Sequence, residues 1–483
     1  MTGRAFAVVA VRSRIAGRHL AVATALLLMS ALLARLLTEP LRARLAVAFV
    51  LGVFTVALAL VNPRHLFYAL IVWLGMAAFV RRLFTEIVPP SSHDVLVLVG
   101  VLGVVSLTVV AYAYGAFRDR SRLANGVLVF SVLALLGAAN PKQGGVAVGL
   151  AGLLFVLVPM LAFWIGRTLD DHTLSVALKI IAVIAIPAAI YGLAQTLSGF
   201  PYWDADWLAQ VNGLYHSGTI HGAQRPFANF SSTQEYVMFV AVGLLVWLFL
   251  GSRPIALSIL ICVVGLLGTA LVYSGVRGVL VMSAVALGMT AAVRQRLPIV
   301  FSLPVIAALL FALSYGAGRV VPDRGASAGN SSTLTGHSLS GLAHPLNKSS
   351  STLPLHFNEI VQGVKSIRTE PLGTGLGSIS LAATKFGGAV HPTEADPSNA
   401  AVALGLPGLL VYLFIVVVGL SQAYRFARTR GDRLAYLGLA IVTLTLLQWL
   451  NGGLYSVAFL PWLILGWVDR STARESATLP LTL

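Results

Sequence analysis

The feature that most constrains this chain is the recurrence of apolar runs of membrane-spanning length, separated by short loops rich in arginine. About 20 apolar residues cross a bilayer, fewer where the bilayer thins. On that rule spans fall near 20–37, 45–61, 65–80, 95–116, 124–139, 145–165, 174–195, 235–250, 255–273, 279–293, 298–316, 401–420, 434–450 and 454–468. A soluble domain carries roughly a quarter charged residues, whereas this chain of 483 residues is 10% charged and 57% hydrophobic. The expected fold class is an all-α polytopic membrane protein with about 14 transmembrane helices. Lys179, alone within an apolar run, is expected to snorkel.

Charge sets the expected orientation, because short cytoplasmic loops carry the excess of Lys and Arg. With the amino terminus inside, the inner loops hold Arg64, Arg118, Arg120, Arg122, Arg167, Arg253, Arg294, Arg296, Arg425, Arg428, Arg430 and Arg433. Both termini are then cytoplasmic, and two long polar loops face outward. Long loops translocate regardless of charge. Arg42, Arg44, Arg81 and Arg82 run against this arrangement. The leader with Arg4, Arg12, Arg14 and Arg18 lacks a convincing small-residue cleavage site, so the first run reads as a retained helix.

The chain divides into N-terminal transmembrane helices (1–195), a first extracytoplasmic loop (196–233), central helices (234–317), a large extracytoplasmic loop (318–400), and C-terminal helices with a cytoplasmic tail (401–483). The stretch 323–353 is Ser/Gly-rich and is expected to be mobile. After it, Phe357, Ile360, Val361, Val364 and Ile367 recur at helical spacing. They predict a surface amphipathic helix over 352–370, apolar face down and ending before Pro371.

The net charge of +16 does not point to nucleic acid. Arg far outnumbers Lys, and the basic residues sit between apolar runs as topology signals and phosphate-headgroup contacts do. The single cysteine, Cys262, excludes an intrachain disulfide. No His/Cys/Glu grouping has metal-ligand spacing, Asp204 and Asp206 alone make a poor cation site, and there is no P-loop. No cofactor is expected.

Four outer-side constellations carry chemistry. Trp203, with Tyr202 and Trp207, suits an aromatic belt or a sugar platform. Arg225 lies in RPFANFSSTQEY, where a guanidinium fork can grip a phosphate in two places. In the same stretch Ser232 and Glu235 form a capping box. Arg277, in YSGVRG, needs a partner or a headgroup at the hydrocarbon edge.

The fourth constellation is PLGTGLGSISLAATKFGGAVHPTEADPSNAAVALGLPG. Gly373, Gly375 and Gly377 allow tight turns and close approach of a ligand. Asp396 and Pro397 read as N-cap and first helical residue. His391 and Glu394 have no evident structural duty, and Asn399 is placed to bond either one or a sugar hydroxyl.

Taken in order, four pieces resemble the O-antigen ligase and Wzy-type polymerase family of bacterial envelope polysaccharide assembly. RPFANFSSTQEYVMFVAVGLL resembles that family's R-P-F-x-x-F entry to a span. YSGVRGVLVMSAVAL resembles its S-x-S-R-G turn, and SIRTEPLGTGLGS its I-x-x-x-P-L-x-G-x-G-x-G element. SNAAVALGLPGLLVYL resembles the following helix with its L-G-x-x-G-L-L core. The likeness covers roughly 190–420.

The resemblance implies a metal-independent glycosyltransferase of the bacterial inner membrane. It would act outside the cytoplasm on a polyprenyl-diphosphate-linked saccharide, beside other polysaccharide assembly proteins. It also implies that Arg225 and Arg277 hold the diphosphate. The ligase branch carries a His-Asn pair before the L-G-x-x-G. Counted back from Gly405, the His position is Glu394 and the Asn position Ala395, with His391 displaced by three residues. Polymerisation of an envelope or exopolysaccharide is therefore the expectation, with ligase transfer to a lipid or protein acceptor as the alternative. A flippase without chemistry is the rival class. Glu394 is taken as the base on family position, with His391 as partner, although an imidazole titrates nearer neutrality. Arg368, Lys365 and His356 are expected to contact the sugars.

Overall fold

A computed structural model of the chain describes residues 40–86, 94–210, 218–220, 222–251, 257–297, 303, 306–307, 330–343, 353–380, 383, 386–388, 391 and 395–478. It is helical almost throughout. The helices are α1 (Pro40–Val61), α2 (Pro63–Thr85), α3 (Val97–Ala113), α4 (Arg122–Ala138), α5 (Val146–Met160), α6 (Ala162–Gly166), α7 (Asp171–Leu197) and α8 (Tyr202–Gln210). A two-stranded antiparallel hairpin follows, β1 (Thr219–Ile220) with β2 (Ala223–Gln224). Then come α9 (Thr233–Leu250), α10 (Leu257–Tyr273), α11 (Arg277–Arg294), α12 (Asn330–Ala343), α13 (Leu353–Lys365), α14 (Asp396–Arg430), α15 (Arg433–Leu444) and α16 (Phe459–Thr478).

Among the described residues seven helices are long and apolar enough to cross a membrane, and four shorter apolar helices accompany them. The protein is an all-α, multi-pass membrane protein. The expected span at 20–37 lies outside the described residues, as does nearly all of that at 298–316. Lys179 is exposed on α7, where its stem can run along lipid toward a headgroup.

The helix starts follow side-chain chemistry. Ser121 accepts the N–H of Ala124 at 2.9 Å, Asp170 that of Thr173 at 2.6 Å and Asp432 that of Ala435 at 2.8 Å, each satisfying an amide that the first helical turn leaves orphaned. All three caps lie at one end of the bundle. Arg64 pairs there with Asp170 at 3.0 Å, Arg470 with Asp119 at 3.1 Å, and Arg430 with Asp171 and Asp432. Arg428 donates to the carbonyl of Arg296 at 3.3 Å. Loops that charge alone assigned to one side therefore meet at one basic end.

The opposite end holds Arg44, Arg81 and Arg82, three of the four arginines that ran against the charge pattern. Arg44 and Arg81 flank Asp94 at 3.3 and 2.7 Å, and Arg82 lies 2.9 Å from Asp204. Paired inside protein, they no longer act as topology signals.

Two irregular segments pack between helices, with Leu372 and Leu447 at their exposed edges. The first interrupts α14 at Gly405, whose φ of 66° and ψ of −154° break the helix. The loop after α13 fills the break. Leu406 donates to the carbonyl of Pro371 at 2.9 Å, Thr374 to that of Val402 at 2.8 Å and Gly375 to that of Ala403 at 3.1 Å. Backbone at membrane depth is tolerated where protein supplies such partners.

The second lies between α15 and α16, where the expected spans 434–450 and 454–468 are displaced: α15 ends at Leu444 and α16 begins at Phe459. The intervening chain wraps the start of α14. Asp396 donates its N–H to the carbonyl of Leu447 at 3.1 Å and accepts from the Trp449 amide at 2.5 Å and the Tyr412 hydroxyl at 2.7 Å. Asp396 is thus the first helical residue, and Ala395 is the cap. Its carboxylate bonds the Trp449 amide of a distant loop and the Tyr412 and Asn399 side chains of its own helix, rather than capping the amides of the first turn.

Two further expectations change. The Ser/Gly-rich stretch contains α12, whose Leu334 and Ser338 are fully buried. The amphipathic helix is present as α13 and packs on α14, where a Cβ on Gly363 would stand 2.5 Å from Ser398 Cβ. Phe357 is left exposed.

A Cβ at Gly405 would lie 2.0 Å from the Pro371 carbonyl oxygen, and the positive φ alone costs about 1–3 kcal/mol for other residues. Gly405→Ala should therefore lower the melting temperature of detergent-purified protein sharply. Gly265→Ala, a position open on every side, should leave it unchanged or raise it.

Candidate functional site

Arg225 follows the hairpin and leads into Pro226–Phe230, a turn held from three directions. Gln195 of α7 accepts the N–H groups of Phe227 and Ala228 at 3.0 and 2.8 Å. Arg82 donates from one terminal nitrogen to the Phe230 carbonyl at 2.5 Å and from the other to the Ala228 carbonyl. Asn229 donates to the carbonyl of Gly75. The turn needs this support because Ala228 has a φ of 47°, a conformation that alanine rarely adopts.

Asp204 anchors the clamp. Besides Arg82, it accepts from Gln195 Nε2 at 2.6 Å and from the Tyr191 hydroxyl at 2.5 Å. Trp203 donates to that hydroxyl at 2.8 Å, so its indole nitrogen is engaged within the protein. Phe227 packs 4.8 Å from the Arg82 guanidinium and stacks on Phe200 at 5.3 Å. The Arg82 and Asp204 side chains are both fully buried.

Arg225 projects from this fixed base without a counterion. Its Nε is enclosed and has no hydrogen-bond partner, and among the described residues no carboxylate pairs with it. Burial pushes its pKa down to about 10, so the guanidinium is still charged at neutral pH. An unpaired, enclosed cation is a cost to the fold unless something negative comes to it.

The second arginine is nearby. Gly275, at φ +75°, makes the turn before α11, and a Cβ there would stand 3.8 Å from Arg225 Nε, 3.1 Å from Ile220 and 3.3 Å from Leu334 of α12. Ser274 fixes that turn by accepting the Val276 N–H at 3.1 Å. Two residues beyond Gly275, the Arg277 guanidinium lies against Gly341, where a Cβ would come within 1.6 Å of it. Leu334 and Gly341 are two helical turns apart, about 10 Å along α12 at 1.5 Å per residue. One face of α12 therefore meets the turn beside Arg225 at Leu334 and the Arg277 guanidinium at Gly341.

The other expected residues fall elsewhere. Lys365 and Arg368 are exposed and His356 is half-buried, all on α13 or the turn after it. His391 is exposed, its N–H donating to the Ser378 carbonyl at 2.9 Å. Glu394 lies outside the described residues. Asn399 is buried and bonds Asp396. Gly373, Gly375 and Gly377 make their close approach to protein: Cβ atoms there would meet Ala403 O at 2.4 Å, Gln143 Cβ at 2.7 Å and Val148 O at 2.2 Å. Glu235 accepts the N–H groups of Ser231 and Ser456 at 3.0 and 2.7 Å, a purely structural duty.

Sequence reasoning missed Gln195 and weighed Asp204 only as a cation ligand. The signal for both was Arg82 itself, a charge at the wrong end with no lipid reason to be there. No protein-family model matches the chain, and no curated protein does.

Breaking the clamp on one side leaves a buried charge, which typically costs about 3–5 kcal/mol. Arg82→Met alone should lower the melting temperature and speed amide exchange over 226–230. The double variant Arg82→Met, Asp204→Leu should recover most of the melting temperature while the 226–230 amides stay fast.

Proposed function

We propose that this protein transfers glycosyl units from a polyprenyl-diphosphate-linked saccharide at the outer face of a bacterial inner membrane, and that it polymerises repeat units. The observation that carries the reading is Arg225: a half-buried guanidinium whose Nε is enclosed and unpartnered, which no carboxylate among the described residues pairs with, on a clamped turn beside the Gly275 turn that leads into Arg277. Both lie at the end of the bundle opposite the cluster of basic loops, the end that the charge rule puts outside.

The chemistry follows from charge. The acceptor hydroxyl oxygen forms a bond to the anomeric carbon as the bond from that carbon to the diphosphate oxygen breaks. The electron pair leaves with the diphosphate, and the acceptor proton passes to a base. Arg225 and Arg277 stabilise the charge developing on the diphosphate, and preorganised donors of this kind are worth about 2.7–4 kcal/mol each. The polyprenyl chain stays in lipid. Glu394, with His391 as partner, takes the proton, a role usually worth about 10²–10⁴-fold. Lys365 and His356, on α13, and Arg368, in the turn after it, would face the sugars.

Two experiments test the reading. Purified protein incubated with undecaprenyl-diphosphate oligosaccharide should yield a ladder of products, with turnover at least a hundredfold lower for Arg277→Met or Arg225→Met. One unit added to a second lipid would mean ligation. In vesicles, movement of substrate without a new glycosidic bond would mean transport.

The second concerns pH and stability. With no anion present, Arg225→Met should raise the melting temperature by relieving the unpaired charge, while wild type alone should be further stabilised by inorganic pyrophosphate. Because the Arg225 pKa is lowered to about 10, the cation that binds pyrophosphate is present below that pH and lost above it. Pyrophosphate stabilisation of wild type should therefore fade as pH rises through about 10.

A further inference from the structure

The face of α12 that covers the two arginines carries one more polar group. Leu334, Ser338 and Gly341 recur at intervals of four and three residues, and so share one side of the helix. Leu334 meets the Gly275 turn beside Arg225, and Gly341 meets the Arg277 guanidinium. Ser338 lies between them, fully buried, with an Oγ that has no hydrogen-bond partner. A buried hydroxyl without a partner is unusual, because its desolvation is not repaid inside the protein. Here it lies on the helix face that meets the Gly275 turn beside Arg225 at one end and the Arg277 guanidinium at the other.

We propose that α12 is the cap of the anion site and that Ser338 is a third ligand, its hydroxyl donating to a phosphate oxygen held between Arg225 and Arg277. This rests on the reading of the two arginines as a diphosphate site. It adds a neutral donor that distinguishes the site from a plain basic patch, and it gives the Ser/Gly-rich segment a duty. Gly341 is what lets the cap sit down: any side chain there collides with the Arg277 guanidinium. A bound diphosphate ties α12 to the turn beneath it.

The test uses the full chain in detergent with inorganic pyrophosphate as probe, reading affinity by thermal shift and amide exchange over 330–343. Ser338→Ala should weaken pyrophosphate about tenfold or more, as loss of a hydrogen bond to a charged group does. It should not lower the melting temperature of the empty protein, since the hydroxyl has no partner to lose. Gly341→Ala should speed exchange over 330–343 without ligand and weaken pyrophosphate by at least as much. In wild type, saturating pyrophosphate should slow that exchange.

Wild-type affinity in Ser338→Ala, or exchange over 330–343 indifferent to saturating pyrophosphate, overturns the cap. If Arg225→Met abolishes binding while the α12 variants do not alter it, the cap alone is wrong. If Arg225→Met also binds as wild type does, the diphosphate site is wrong and the cap falls with it.

Discussion

A peptide group in hydrocarbon has no water to bond, so every break in a membrane helix must be matched by another piece of chain. That requirement organises this protein. The break in α14 at Gly405 is answered by Pro371–Gly375, whose amides and carbonyl complete the interrupted ladder. The chain between α15 and α16 is answered by the Asp396 amide and carboxylate and by the Glu235 carboxylate. In each case a loop that would otherwise require solvent packs between helices. The end of the bundle opposite the basic loops is thereby built from irregular backbone held by side chains and backbone of its neighbours, which is the kind of scaffold on which side chains can be aimed.

The same logic applied to charge separates structure from function. Arg44, Arg81 and Arg82 are each held by an acid, and Arg82 also satisfies two carbonyls. Each is accounted for within the protein. Arg225 has no such account, although a chain of contacts from Asp204 through Gln195 and Arg82 exists to fix the turn it stands on. A turn held this firmly, carrying a cation that no carboxylate among the described residues pairs with, is the basis of the proposed anion site. The proposal that the anion is a lipid-linked diphosphate draws on the site's place at the end of the bundle opposite the basic loops and on the resemblance of the surrounding motifs.

Much of the fold was legible because lipid imposes a simple rule on sequence. Runs such as 174–195 and 235–250 match α7 and α9 closely, since length and apolarity alone decide them. The helix α13 was legible from its apolar spacing. What failed was everything decided by tertiary partners. The helix at 434–450 stops early because Asp396, far away in sequence, captures the chain at Leu447 and Trp449. The helix α12 forms in a stretch whose composition argues against it, because one face packs on the Gly275 turn. Asp396 looked like a cap because only its neighbours were visible. The glycines at 373, 375 and 377 suggested close approach of a ligand, but what approaches them is protein. For the site, Arg225 and Arg277 stood out because neither had a local reason to be charged, whereas the clamp beneath them involves residues more than 100 positions apart.

The central claim is spatial and can be seen directly. A cryo-electron microscopy map of the full chain bound to a non-hydrolysable polyprenyl-diphosphate analogue should show the two phosphorus atoms between the guanidinium groups of Arg225 and Arg277, beneath the Ser338 face of α12. The lipid tail should leave toward the bilayer. Density for the analogue at any other place, with Arg225 still enclosed and untouched, would contradict the account.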